Sequence, residues 1–348
     1  MLCEEYVRIA RQEIQMLGLV NRKKPKKPKK GLRVGYFSSD FGNAPVGRLF
    51  ASVPSHHSSG NSVTPLLYVL NPPDGSYYRH RVEEGAATVV PLAGLTNQNA
   101  AQRINADDVH ILVDLLGFTA GGYAMQREHI LALTPAPVIV NFLGYPGTSG
   151  ARSTKETTQY AVVDRVIVTP EMQPQFTEQL LYMPHSYQVN DMAMVQARAD
   201  VHQQQSCSRT STHCARWTRR FDTWLNIVHR VPHSVLWLLR LPSHAAETLL
   251  QEAAARGLKS RVVFGEPLPP EQHLLRCALA DLFLDSLQYN AHTTATDALW
   301  AGVPIITLPG GMMQSRVAAG LIEAIGVKRC TSGSLFRANV IRLRSGSL

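Results

Sequence analysis

The chain has 348 residues, 45% hydrophobic and 18% charged, a globular balance with length enough for two domains, which excludes a disordered chain. Its charge is +9, but seven of its 35 basic residues (Arg22, Lys23, Lys24, Lys26, Lys27, Lys29, Lys30) form one short run. The other 28 face 26 acidic residues, so the body is not a basic surface and nucleic acid is not an expected partner.

No apolar run reaches the roughly 18–20 residues of a membrane helix, and the charged start MLCEEYVRIARQE lacks the apolar stretch of a signal peptide. No membrane partner is expected, and a cytoplasmic or nuclear setting fits. Five scattered cysteines give no disulfide framework. Cys207 and Cys214 lie near His202 and His213 without the two close pairs of a zinc site, so no metal is expected.

Residues 1–31 read as an amphipathic helix and a polybasic linker, KKPKKPKK, whose prolines and like charges forbid a helix. Residues 32–191 read as a first α/β domain. Its strands are LRVGYFSSD, VTPLLYVL (63–70), VHILVDLLG (109–117), APVIVNFLG (136–144), VDRVIV (163–168) and QLLYMP (179–184). Helical stretches such as NAAQRINAD and MQREHILALT separate several of them, the pattern of a parallel, doubly wound sheet. Residues 192–220 are polar and without period, an irregular linker. Residues 221–334 read as a second α/β domain. FDTWLNIVHRVPHSVLWLLRL reads there as a helix followed by a strand, after which helices AAETLLQEAAARGL, EQHLLRCALA and TTATDALWAGV alternate with strands SRVVFGE, DLFLDS and PIITLPG. Residues 335–348 are a tail that leaves this pattern.

Two stretches carry chemistry. In HTTATDALWAGVPIITLPG (292–310) a turn after DLFLDS delivers His292, Thr293 and Thr294 to a helix start. Unpaired N–H groups and partial positive charge there suit a phosphate, and Asp297, a turn further in, suits ribose hydroxyls. Ordinary capping by a threonine is the competing account. In GYPGTSG, residues Gly144, Tyr145, Pro146, Gly147 and Thr148 form a tight loop at a strand's carboxyl end, where such sheets bind ligands. His110, heading VHILVDLLG, is by itself a structural histidine.

LRVGYFSSDFGN (32–43), LGYPGTSGA (143–151), LLYMPHS (180–186), RVPHSVLWLLR (230–240) and HTTATDALWAGVP (292–304) resemble, in that order, the catalytic region of the nucleocytoplasmic protein O-GlcNAc transferases. The resemblance implies a GT-B fold, two Rossmann-like domains facing a cleft. It implies an inverting, metal-independent transfer of N-acetylglucosamine from UDP-GlcNAc to Ser or Thr of intracellular proteins, with no cofactor beyond that donor. Thr293 and Thr294 would then hold the diphosphate beside His292, and Asp297 the ribose. His273 and Arg276 would face uracil, bordered by Leu268, Pro269 and Pro270. His110 becomes a candidate on the acceptor side.

The chain departs from that family in three places. Ala44 stands where the family has a histidine proposed as base. The family's diphosphate lysine has no counterpart before FDTWLN. The closing helices expected after GVKRC do not follow, so the second domain is expected to be incomplete, and no tetratricopeptide array precedes the region. Two rival readings remain: an impaired relative that keeps a nucleotide-binding shape and works as a scaffold, and an O-fucosyltransferase-like enzyme with a GDP-sugar donor.

Overall fold

The computed structural model describes residues 31–60, 62–118, 128–150, 158–193 and 219–327. The expected amino-terminal helix and lysine run, most of the linker 192–220 and the tail 335–348 lie outside the described residues. The chain divides into two compact units, residues 1–191 and 192–348.

Among the described residues the first unit carries seven strands: β1 (Leu32–Ser38), β2 (Val63–Val69), β3 (Thr88–Pro91), β4 (Ile111–Asp114), β5 (Val138–Asn141), β6 (Tyr160–Asp164) and β7 (Gln179–Met183). They form one sheet in the order β3-β2-β1-β4-β5-β6-β7, parallel at every pairing. Its helices include α1 (Pro45–Phe50), α2 (Val53–Ser59), α3 (Tyr77–Glu84), α4 (Asn97–Ala106) and α5 (Glu128–Ala132). Successive side chains of a strand alternate between faces. Phe37, Leu66, Tyr68 and Leu112 therefore pack with Ile104 and Ile130 of α4 and α5. Tyr36, Leu67 and Val69 pack with Leu49 and Phe50 of α1 and Val82 of α3. A sheet covered on both faces needs near-continuous apolar strands, which LRVGYF and PLLYVL supply. Gly35 leaves room for the Tyr68 ring: a Cβ there would lie 2.7 Å from Tyr68 Cε2.

Two local expectations shift. Strand β3, TVVP, is four residues long with an exposed start, too short to stand out by period. The strand expected at 163–168 instead runs Tyr160–Asp164. Asp164 ends it, because its Oδ1 accepts from Val166 N at 2.9 Å and Ile167 N at 3.0 Å and turns the chain.

The second unit runs α6 (Arg219–Arg230), β8 (Leu236–Leu239), α7 (Ala245–Ala255), β9 (Val262–Gly265), α8 (Pro270–Cys277), β10 (Phe283–Leu284), α9 (Thr293–Trp300), β11 (Ile305–Ile306) and α10 (Val317–Ala324). Phe221, Trp224, Leu225 and Val228 of α6 pack on Leu236 and Leu238 of β8, with Leu249, Val262 and Leu284. Each of these large side chains contributes roughly 1.5–3 kcal/mol when fully buried. Among the described residues the strands form two parallel pairs, β8-β9 and β10-β11, rather than one sheet. A doubly wound sheet starts at its centre and orders its strands 3-2-1-4-5. The pairs β9-β8 and β10-β11 match the two flanks of that order, and no described strand precedes α6 to fill the centre.

Candidate functional site

In the first unit the chain reverses direction across the sheet at β1, which lies between β2 and β4. Ligands of such sheets meet the carboxyl ends of the strands at this switch point. The loop after β1 is held there by side chains from the loop after β2. Asn71 Nδ2 donates to Phe41 O at 2.8 Å, and Asp74 Oδ2 accepts from Asn43 N at 2.7 Å. Gly42 (φ 142°) is confined to glycine, since a Cβ would sit 2.3 Å from Asp74 Oδ2. Ala44 then caps α1 by backbone only.

The Gly144–Thr148 loop follows β5 on the same edge. A Cβ at Gly144 would lie 2.0 Å from Leu115 O, so this loop and the one after β4 touch backbone to backbone. Tyr145 meets Phe118 edge to face at 5.5 Å. Asn141 Nδ2 donates to Gly147 O at 3.0 Å. Thr148 Oγ1 and Ser149 N donate to the buried Glu178 carboxylate at 2.7 and 2.5 Å. Pro146 lies between these anchors. The loop is therefore a pinned structure, and Glu178, unremarked in the sequence, is its anchor.

His110, the acceptor-side candidate, lies at the other end of its strand from these loops. It precedes β4, where its Nδ1 accepts from Arg33 N at 3.0 Å and its N–H bonds Arg33 O at 3.0 Å. That is the amino-terminal edge of the sheet, a strand's length of roughly 13 Å from the carboxyl ends. Both bonds tie it to the start of β1.

In the second unit, α9 begins as the motif predicts. His292 is its N-cap and makes no side-chain capping bond. Thr293 and Thr294 are half-buried, and among the described residues neither hydroxyl is hydrogen-bonded, so capping does not account for them. The His292 Nε2 donates to Gln314 O at 3.2 Å. Burial pushes the imidazole down to about 4, so it is neutral near pH 7 and brings no cation to a phosphate.

Helices α8 and α9 bring three further residues together. His273 Nε2 lies 3.8 Å from Asp297 Oδ2 and 3.5 Å from Cys277 Sγ. Cys277 is a site neighbour the sequence reading did not single out, although it stands four residues beyond His273 on one helix face. Burial, and then the Asp297 charge, push its thiol up to about 12, so it is an S–H rather than a reactive thiolate. Arg276 is buried: NH1 donates to Glu266 O at 2.6 Å, while Nε and NH2 find no partner among the described residues. Burial lowers its pKa, and a guanidinium with open donors is a place where a ligand oxygen would be welcome. Leu268 is exposed, Pro269 is the extended N-cap of α8 and Pro270 starts it, a position that suits a residue lacking an N–H.

A parallel doubly wound unit followed by a second α/β unit is the architecture of GT-B glycosyltransferases. A variant O-GlcNAc transferase of Thermobaculum terrenum shares it with a TM-score of 0.78 and 23% identity, over 96% of this chain and 64% of that one; the likeness shows the fold. The chain belongs to glycosyl transferase family 41, whose sequence pattern matches residues 1–214 and 218–346, running through the linker and most of the tail. It is 36% identical over 314 residues to a probable UDP-N-acetylglucosamine–peptide N-acetylglucosaminyltransferase, SEC, of Arabidopsis thaliana, covering 86% of this chain and 31% of that protein. It is 28% identical to the UDP-N-acetylglucosamine–peptide N-acetylglucosaminyltransferase of Caenorhabditis elegans, covering 85% of this chain and 35% of that protein. The chain thus spans about a third of the length of these relatives.

Proposed function

We propose that this chain is a catalytic region that moves N-acetylglucosamine from UDP-GlcNAc to Ser or Thr hydroxyls of proteins. The observation that carries the reading is the start of α9, where two threonine hydroxyls, unengaged among the described residues, stand at an N-terminus beside the His273–Asp297 contact. First-turn N–H groups and the helix dipole favour a diphosphate, and Asp297 would accept from ribose. The relatives' names supply the donor and acceptor class, and the family resemblance supplies the inverting, metal-independent course and the nucleocytoplasmic setting. In such a transfer the acceptor oxygen bonds the anomeric carbon as the bond to the diphosphate oxygen breaks. UDP leaves, and the hydroxyl proton passes to a base.

Ala44 favours a second reading, an impaired transferase, because alanine takes no proton. Losing a general base slows transfer about 10²–10⁴-fold. Calorimetry with UDP separates the readings from failure of the site itself. The parent binds UDP, and a Thr293→Ala/Thr294→Ala variant binds about 10²-fold more weakly. A folded parent with no UDP binding overturns the nucleotide reading; preference for GDP over UDP moves it to the fucose-type donor. Transfer from UDP-GlcNAc to a protein acceptor then distinguishes enzyme from scaffold.

A further inference from the structure

Two arginines stand near the carboxyl edge of the first unit's sheet, and only one of them is used by the fold. Arg79 of α3 is buried. Its Nε pairs with Glu83 at 2.5 Å, and its NH1 reaches Phe41 O, Asn71 O and Pro72 O at 3.4, 3.5 and 3.4 Å. It braces the loops after β1 and β2. Arg48 of α1 is half-buried and braces nothing. Its Nε is sealed from solvent without a partner, and among the described residues its guanidinium makes no hydrogen bond and no ion pair. A cation withdrawn from water normally has an acceptor or an opposite charge beside it, because nothing else offsets its lost hydration.

Close packing fixes where this cation stands. A Cβ at Gly47 would lie 2.2 Å from Gly42 O and 2.4 Å from Asp40 O, so α1 lies directly on the loop after β1. Arg48 N donates to Ala44 O at 2.9 Å, which places Arg48 one helical turn beyond Ala44 on the same face. Val46, Gly47, Leu49 and Phe50 of α1 are buried, and Arg48 is the charged residue of that helix.

We propose that Arg48 recognises an anion on the acceptor side: a carboxylate side chain of the acceptor protein, close in sequence to the Ser or Thr that is modified. The inference rests on the proposed function, which brings the acceptor hydroxyl to the base position held by Ala44. A guanidinium offers planar donors that match a carboxylate in two parallel bonds. One helical turn rises about 5.4 Å, and an extended peptide advances about 3.3 Å per residue, so the carboxylate belongs about one to three residues from the hydroxyl. Partial burial limits competition from water, which makes such a pair stronger than one on open surface.

The test measures binding of two labelled peptides by fluorescence anisotropy, on the purified chain and on Arg48→Gln and Arg48→Lys, with circular dichroism confirming each fold. Both peptides carry one serine, flanked by glutamates in one and by glutamines in the other. The parent is expected to bind the glutamate peptide about tenfold more tightly. Arg48→Gln is expected to bind both alike, and Arg48→Lys to keep a smaller preference because an ammonium makes no bidentate pair. A parent that binds both peptides equally, or neither, overturns the inference; if calorimetry then shows inorganic phosphate bound by the parent and lost in Arg48→Gln, the residue is a small-anion site instead. A glutamate preference that survives in Arg48→Gln overturns it as well. UDP affinity is expected to stay within about twofold in Arg48→Gln; a larger loss makes Arg48 a nucleotide contact and overturns the inference. A parent that binds no UDP removes the nucleotide reading of α9, and with the glutamate preference intact it leaves Arg48 as a peptide-binding residue.

Discussion

Ala44 and His292 show how single residues set what this site can do. Ala44 supplies the backbone that starts α1 and nothing more. Under the impaired-transferase reading, Ala44→His restores a proton acceptor at the switch point. Transfer is then expected to rise about 10²–10⁴-fold in kcat, with the KM for UDP-GlcNAc unchanged; steady-state kinetics of the two proteins decide it. His292 makes a prediction about stability. Its folded pKa is about 4 against an ordinary 6.5, lowered by burial. Between those values the unfolded chain binds a proton that the folded one does not, so stability falls as pH drops through that window. Thermal unfolding followed from neutral to acid pH is expected to show a shallower decline in His292→Asn than in the parent. The sequence singled out His292, Thr293, Thr294, His273 and Asp297 because a helix start and a family pattern are local signals. Glu178 and Asp285 carried no such signal. What they do depends on partners from other elements, such as the Glu178 bond to Thr148 across 30 positions.

At the scale of elements, the two loops at the carboxyl ends of β4 and β5 depend on close backbone approach. Gly144 faces Leu115 O where a Cβ would stand 2.0 Å away. Gly144→Ala is expected to force the loops apart and cost about 1–3 kcal/mol, read as a lower urea midpoint. A Gly94→Ala control meets no neighbouring atom within 4 Å; only the strain of its positive φ of 79° would register. Strand β1 and helix α9 were legible because both are apolar runs with clear period and turn signals. Strand β3 was not, because four residues on a sheet edge carry little pattern. His110 illustrates a different limit. Its edge follows from heading a parallel strand, but its bonds to Arg33 of the neighbouring strand appear only in the fold.

For the whole molecule, the two units differ in completeness among the described residues. The first has a seven-stranded sheet with both faces covered; the second has two strand pairs. Residues 31–193 expressed alone are expected to unfold cooperatively in urea, and residues 219–327 alone at a lower midpoint. Circular dichroism against urea measures both, and a higher midpoint for the second fragment would contradict this ordering. The sequence by itself determined the α/β class, the family and the helix start with its threonines, because period, turn chemistry and motif order are written along the chain. Only the tertiary structure decided that His110 bonds Arg33, that Glu178 and Asp285 hold the loops, and that Tyr289 stands stacked and exposed before α9. Each of those facts is a meeting of residues distant in sequence or a direction in space, and neither is encoded in local pattern.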